Sequence, residues 1–339
     1  MIIPLYDTTA QQIAARLVQV RREGGAIALS RVLTLVVPVG AAAAERGIRA
    51  ANQASTEHPS RIIVVVDRDP TGQATLDAEI RVGGDAGASE VIVLRLRGSL
   101  IDQPDNLITP LLLPDVPIVT WWPDRLPPCP AATPLGALAQ RRVTDAAMAP
   151  GSLAERLDRL RDGYTPGDTD LSWTRITRWR AHLAAILDLP PYEAVTQAVV
   201  VGLRDHPSVD FLAGWLGWTL RCPIRVLRQG REGGLTRVEL HRASGVVTIE
   251  RPLGAHEARL ITPGRPEQRF HLRVPSLAGC LSEELRRLDE DRVYGEVVTQ
   301  GLPWLAEEDH LRELPGVTWR SGAVGADAEE GGAVAPTLP

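Results

Sequence analysis

The chain has 339 residues, and its 37 basic residues are all arginine; against 42 carboxylates they leave a net charge of −5. A chain of that length buries roughly 75% of its unfolded surface, so it needs no disulfide or metal staple, and two domains are the default expectation. With 44% apolar and 23% charged residues it is not globally disordered. No apolar run approaches the about 18 residues of a membrane span, the missing lysine removes Schiff-base and P-loop lysine chemistry, and the mild acidity argues against a dedicated nucleic-acid binder.

The first segment, Met1-Ile2-Ile3-Pro4 with Asp7 soon after, lacks the basic start and apolar core of a signal peptide, and a cytoplasmic chain is expected. From Gln11 to Glu23, Ile13, Leu17 and Val20 recur at helical spacing, and Gly24-Gly25 is suited to end that helix. Ala26 to Val39 is apolar and β-branched, and Ala41 to Glu57 favours helix until His58-Pro59. Ile62 to Val66 is a continuous apolar run, as in a strand covered on both faces; Leu76 to Val82 alternates, as in a strand with one wet face. Val91 to Leu96 and Val116 to Trp121 read as strands, with a short helix between Asp105 and Leu113. The alternation predicts an α/β domain with a mostly parallel sheet over residues 1–150.

Five prolines between residues 123 and 134 predict a rigid extended loop. Ser152 and Glu155 form a capping box for a helix from Leu153 to Arg161, Gly163 to Gly167 is a turn-rich break, and Asp170 caps a longer helix from Leu171 to Asp188. A helix follows over Val209 to Arg221. Short alternating segments come next, at Ile224 to Leu227, Leu235 to His241, Val246 to Arg251, Ala258 to Ile261 and Arg269 to Val274. Helices from Leu277 to Leu288 and Val293 to Gln300 close a C-terminal α+β domain over 151–321, built on an antiparallel sheet. Residues 322–339 hold small residues and acids without an aromatic, and disorder is expected there.

Few motifs carry chemistry. The glycines from Gly83 to Gly87 match no phosphate-loop pattern and are read as a strand connection. Asp168-Thr169-Asp170 is a helix cap before it is a metal or acid/base pair. Seven scattered histidines form no metal or hydrolase signature, and Cys129, Cys222 and Cys280 have no zinc or disulfide spacing. No catalytic, cofactor or metal residue is assigned. Two features suit a protein surface. Trp121 and Trp122 are adjacent at a strand end, so they point to opposite faces. Trp173, Ile176, Trp179, Leu183 and Ile186 form one helical stripe, flanked by Arg175, Arg178 and His182; the alternative is a core stripe beside solvated arginines. With Arg141 and Arg142, able to grip a carboxylate or phosphate, the candidate partner-binding set is Trp121, Trp122, Arg141, Arg142, Trp173, Arg175, Arg178 and Trp179.

Taken in order, several phrases resemble the glucose-6-phosphate dehydrogenase assembly protein family, OpcA. They are Glu23-Gly24-Gly25-Ala26 leading to Arg31-Val32-Leu33-Thr34-Leu35-Val36, His58-Pro59-Ser60-Arg61-Ile62-Ile63-Val64-Val65, and Ile80-Arg81-Val82-Gly83-Gly84-Asp85-Ala86-Gly87-Ala88-Ser89-Glu90. Pro110 to Asp115, Trp121-Trp122-Pro123, Arg141-Arg142-Val143-Thr144-Asp145 and Asp168-Thr169-Asp170-Leu171-Ser172-Trp173-Thr174-Arg175 continue the set. The resemblance implies a non-catalytic activator that binds glucose-6-phosphate dehydrogenase and feeds NADPH production in the oxidative pentose phosphate pathway, with no nucleic acid or membrane and with self-association open. Thioredoxin control known in some branches does not map onto the three widely spaced cysteines. The alternative is an enzyme or sensor for a sugar phosphate or nucleotide, with Arg175, Arg178 and the Gly83-Gly84 turn lining its pocket.

Overall fold

A computed structural model of the chain describes residues 1–23, 32–82, 90–229 and 234–306. The Gly24-Gly25 helix end, the Gly83-Gly84 turn and the tail at 322–339 lie outside the described residues. Among the described residues the strands form two sheets.

The first sheet holds β1 (Ile2–Leu5), β2 (Leu33–Gly40), β3 (Ser60–Asp67), β4 (Thr75–Arg81), β5 (Glu90–Arg97), β6 (Ile118–Trp122), β7 (Arg141–Thr144) and β8 (Asp168–Asp170), in the order β1-β4-β5-β3-β2-β6-β7-β8. From β5 to β8 every pairing is parallel; β4 and β1 add antiparallel at one edge. β2 and β3 are apolar throughout because both faces are covered. On one face α1 (Ala10–Glu23) sets Ile13 and Leu17 against Val36, Ile63 and Ile92; on the other α2 (Ala44–Ala54) sets Ile48 and Ala51 against Leu35, Val37 and Val64. The short helices α3 (Pro104–Ile108) and α4 (Pro134–Ala137) complete the first of these layers.

The second half contains α5 (Leu153–Asp162), α6 (Leu171–Thr174), α7 (Thr177–Leu187) and α8 (Pro207–Leu220). Its sheet holds β9 (Gln197–Gly202), β10 (Ile224–Arg228), β11 (Leu235–Arg242), β12 (Gly245–Glu250), β13 (Glu257–Ile261) and β14 (Gln268–His271), in the order β10-β9-β11-β12-β13-β14. β11 to β14 are the antiparallel meander that alternation predicted, while β9 and β10 pair in parallel across α8. The helices bury one sheet face around Trp173, Trp179, Phe211 and Val238. The other face carries the ion pairs Arg237–Glu239 and Arg259–Glu250. The chain then returns to the first sheet: α9 (Leu277–Arg286) buries Cys280, Leu281 and Leu285 in the α2 core. α10 (Arg292–Glu296), one π turn at Val297–Gly301 and α11 (Leu302–Ala306) end the described chain.

Several local expectations change. The helix expected over Leu171 to Asp188 is two helices, because Ile176 leaves helical geometry (φ −101°, ψ 3°) and its N–H reaches back only to the Trp173 carbonyl. The Pro-rich loop contains a 3₁₀ turn at Pro130–Ala132, with Pro130 buried. Arg141-Arg142-Val143-Thr144 is a strand, and Asp168-Thr169-Asp170, expected as a helix cap, is the strand beside it with Asp170 as the cap. The division expected after residue 150 falls between these two strands of the one sheet.

Candidate functional site

In an open parallel sheet the ligand crevice opens at the C-terminal strand ends, where the strand order reverses. Here that point lies between β2 and β6. The Asp124 Oδ2 atom accepts from the Gly40 N–H at 2.9 Å, and Arg125 Nη1 reaches Asp67 Oδ2 at the end of β3 at 2.5 Å. A carboxylate of the chain itself thus lies against the end of β2, and a Cβ at Gly40 would meet that oxygen at 2.9 Å.

The opposite edge of the sheet carries a buried polar joint, assembled from adjacent residues of β7 and β8. Asp170 caps α6 through the Ser172 N–H at 2.8 Å, and its other oxygen accepts from Thr144 Oγ1 and the Ala146 N–H, both at 2.7 Å. Arg142 pairs with Asp168 and donates to the Ala139 and Pro166 carbonyls. Arg175 turns inward to hold the fully buried Asp145 with two bonds of 2.7 Å. Burial pushes the Asp145 carboxyl above its ordinary value. Burial also works against the Arg175 guanidinium, but its bonds to Asp145 outweigh that and raise it. Arg141 reaches α9, donating to Glu284 at 2.8 Å and to the Asp289 carbonyl at 3.0 Å, and Thr174 donates to the same Glu284. Glu284 is buried, and desolvation pushes its carboxyl up despite these donors.

This placement settles what each candidate residue touches. Trp121 lies in the α2 core at 0% exposure, and Trp122 on the next strand position is buried too. Trp173 and Trp179 belong to the second core. Arg141 and Arg142 are buried in the joint, and Arg175 is half-buried against Asp145. Arg178 alone of the eight is exposed. The set is therefore not one outward-facing cluster: the ring stripe packs the core, as amphipathic helices do, and the arginines beside it find carboxylates.

Two of the eight, Arg141 and Trp173, do share an opening. A groove of about 790 Å3 separates α7 from the segment joining α9 to α10, with these side chains among its lining. Thr177 and Arg180 line the α7 side; Glu283, Arg287 and the half-exposed Val293 lie across from them. The Trp173 indole N–H donates to Asp291 Oδ2 at 2.8 Å, which fixes the ring, and the Arg180 guanidinium lies 3.6 Å from the ring centroid. Arg180 is absent from the sequence candidates because it falls outside the row of Arg175, Arg178 and His182. Its signal was the seven-residue interval from Trp173, two helical turns. Glu284 and Asp291 had no such signal, being more than 100 residues from Thr174 and Trp173, the α6 groups they bind.

Among the described residues no group of three or more His, Cys, Asp or Glu side chains is placed to hold a metal ion. No helix there is long and apolar enough to cross a membrane. Comparison with protein families gives two matches, both to domains of the glucose-6-phosphate dehydrogenase subunit. Residues 51–162 match its N-terminal domain, OpcA_G6PD_assem, and residues 166–298 match its C-terminal domain, OpcA_G6PD_C. A comparison with curated proteins gives no significant match.

Proposed function

The chain belongs to the glucose-6-phosphate dehydrogenase assembly protein family, OpcA, and from that premise we propose that it is a non-catalytic partner that binds the dehydrogenase and favours its substrate-binding state. The observation that carries this reading is the pair of family matches in series, which meet between β7 and β8, so that the joint draws residues from both. The joint gives the reading a physical basis. A partner can shift an equilibrium only by its differential affinity for the two states, and a tenfold shift needs about 1.4 kcal/mol. A surface that keeps its shape spends little of that on its own ordering, and the buried bonds from β7 and β8 to α6 and α9 hold the groove's walls in one arrangement. We place the docking face on the groove rim, around Thr177, Arg180 and Val293. In the cytoplasm such a partner would raise NADPH production in the oxidative pentose phosphate pathway.

A sugar-phosphate or nucleotide enzyme is the weaker reading. Its proposed arginines are parted, with Arg175 committed to Asp145 and Arg178 exposed, and the Gly40 N–H at the sheet's switch point is already taken by Asp124. Sizing with light scattering on the chain mixed with its cognate dehydrogenase tests the proposal. A heavier species containing both proteins is expected; separate elution at micromolar concentration would remove it.

A further inference from the structure

The groove beside the joint holds a cation without a counter-ion. Most of its charges are spoken for. Glu284 takes Arg141 and Thr174, Arg292 pairs with Glu290 at 3.1 Å, and Asp291 takes the Trp173 indole and caps α10 through the Tyr294 N–H. Arg286 leans away to Glu57. Arg180 has none of this. Its Nη2 donates to Thr177 Oγ1 at 3.3 Å, its Nε is buried with no acceptor, and among the described residues no carboxylate pairs with it. Burial pushes its guanidinium down to about 10, although Asp291 and Glu283 oppose that. Arg180 is half-buried, and its buried Nε–H is costly to leave without an acceptor.

We infer that this groove is a receptor for one oxyanion group, a carboxylate or a singly charged phosphate, held by the planar fork of Arg180 above Trp173. The stacked ring fixes the guanidinium plane before a ligand arrives, so little ordering remains to be done on binding. The remaining charges set the ligand's valence. The groove lining balances five arginines against five carboxylates, of which Glu283, Asp289 and Asp291 have no ion pair among the described residues. Such a near-neutral groove accepts a monoanion and repels a polyphosphate. The oxyanion comes either from a small free molecule or from an acidic side chain of the docking partner; only the second source rests on the function proposed above.

The test reads the Arg180 Nε–Hε resonance of the full-length chain by 15N NMR, assigned from its loss in Arg180→Gln. The chain is titrated at constant ionic strength with acetate, with inorganic phosphate, and with the cognate dehydrogenase. Saturable movement with acetate or phosphate, absent for a control Arg178 resonance, supports a site for a free oxyanion. Movement only with the dehydrogenase, together with at least tenfold weaker binding by both Arg180→Gln and Arg180→Lys, supports a carboxylate from the partner. Arg180→Lys keeps the charge but loses the fork, and unfolding temperatures like the wild type's in both variants separate binding from folding. A resonance that none of the three additions moves overturns the inference. A dehydrogenase that fails to bind the wild-type chain removes the second source and the proposed function, and leaves the acetate and phosphate titrations to decide.

Discussion

His206 shows how a single side chain ties this fold to pH. Its Nδ1 accepts from the Ser208 N–H at 3.2 Å and caps α8, which requires a neutral ring. Burial, with Arg175 and Arg156 nearby, pushes the imidazole down to about 4. The unfolded ring titrates near 6.5, so on acidification the unfolded chain takes up this proton first. Stability from this residue is complete above pH 6.5 and is lost as pH falls toward 4, by at most about 3 kcal/mol. In urea titrations His206→Asn, which keeps a capping oxygen, should flatten that slope; an unchanged slope would place the sensitivity elsewhere. The Arg175–Asp145 pair carries a larger penalty. Arg175→Ala strands a fully buried carboxylate, and about 3–5 kcal/mol of stability should be lost. A substitution of Arg175 thus acts on the fold first, and a full-stability Arg175→Ala would contradict this pairing. The cysteines divide by burial: burial pushes Cys222 up to about 11 and Cys280 up to about 12, whereas Cys129 is half-exposed. Maleimide labelling of the native chain should therefore mark Cys129 first, and mass spectrometry of the digest reads it directly.

Elements in this chain were legible wherever one face is wet or a terminus is capped. β4 alternates buried and half-buried residues as expected, and Ser152 and Glu155 make both halves of the capping box that starts α5. β7 and β8 were hidden for a physical reason. Arg141, Arg142, Asp168 and Asp170 look like surface polar residues until strand pairing sets Arg142 beside Asp168 and Thr144 beside Asp170. Ion pairing let charged residues replace the apolar run that usually marks a buried parallel strand. The candidate site was legible to a similar degree. The phrases that carry the family resemblance, Arg141 to Asp145 and Asp168 to Arg175, do meet in space, but they meet as a joint. Trp173 and Arg141 reach the groove from that joint; Arg180, which charges it, was not singled out. A second close approach lies between α8 and the π turn. A Cβ on Gly301 would sit 2.8 Å from the Gly214 carbonyl oxygen, a backbone atom that cannot swing away. Gly301→Ala should cost about 1–3 kcal/mol, seen as a lower unfolding temperature; an unchanged temperature would mean that α8 and the π turn separate freely.

The two sheets of the whole molecule are interleaved in sequence. β8 joins the first sheet after α5 has packed on the second core, and α9 returns after the meander to bury Cys280, Leu281 and Leu285 against α2. Neither half completes its core alone, so calorimetry of the full chain should show one cooperative transition, where two well-separated ones would indicate independent halves. The composition fits this design. Its 37 Lys and Arg positions are all arginine, whose guanidinium pairs bidentately with Asp145 and stacks on Trp173, and a lysine ammonium can do neither in the same way. The central claim concerns what this single body does to its partner. The direct measurement is the rate of the cognate dehydrogenase against glucose 6-phosphate, at rising concentrations of this chain. Expected is a saturable fall in the substrate concentration for half-maximal rate, or a saturable rise in rate, at one stoichiometry. A rate curve that stays the same from no added chain to a large excess would contradict it.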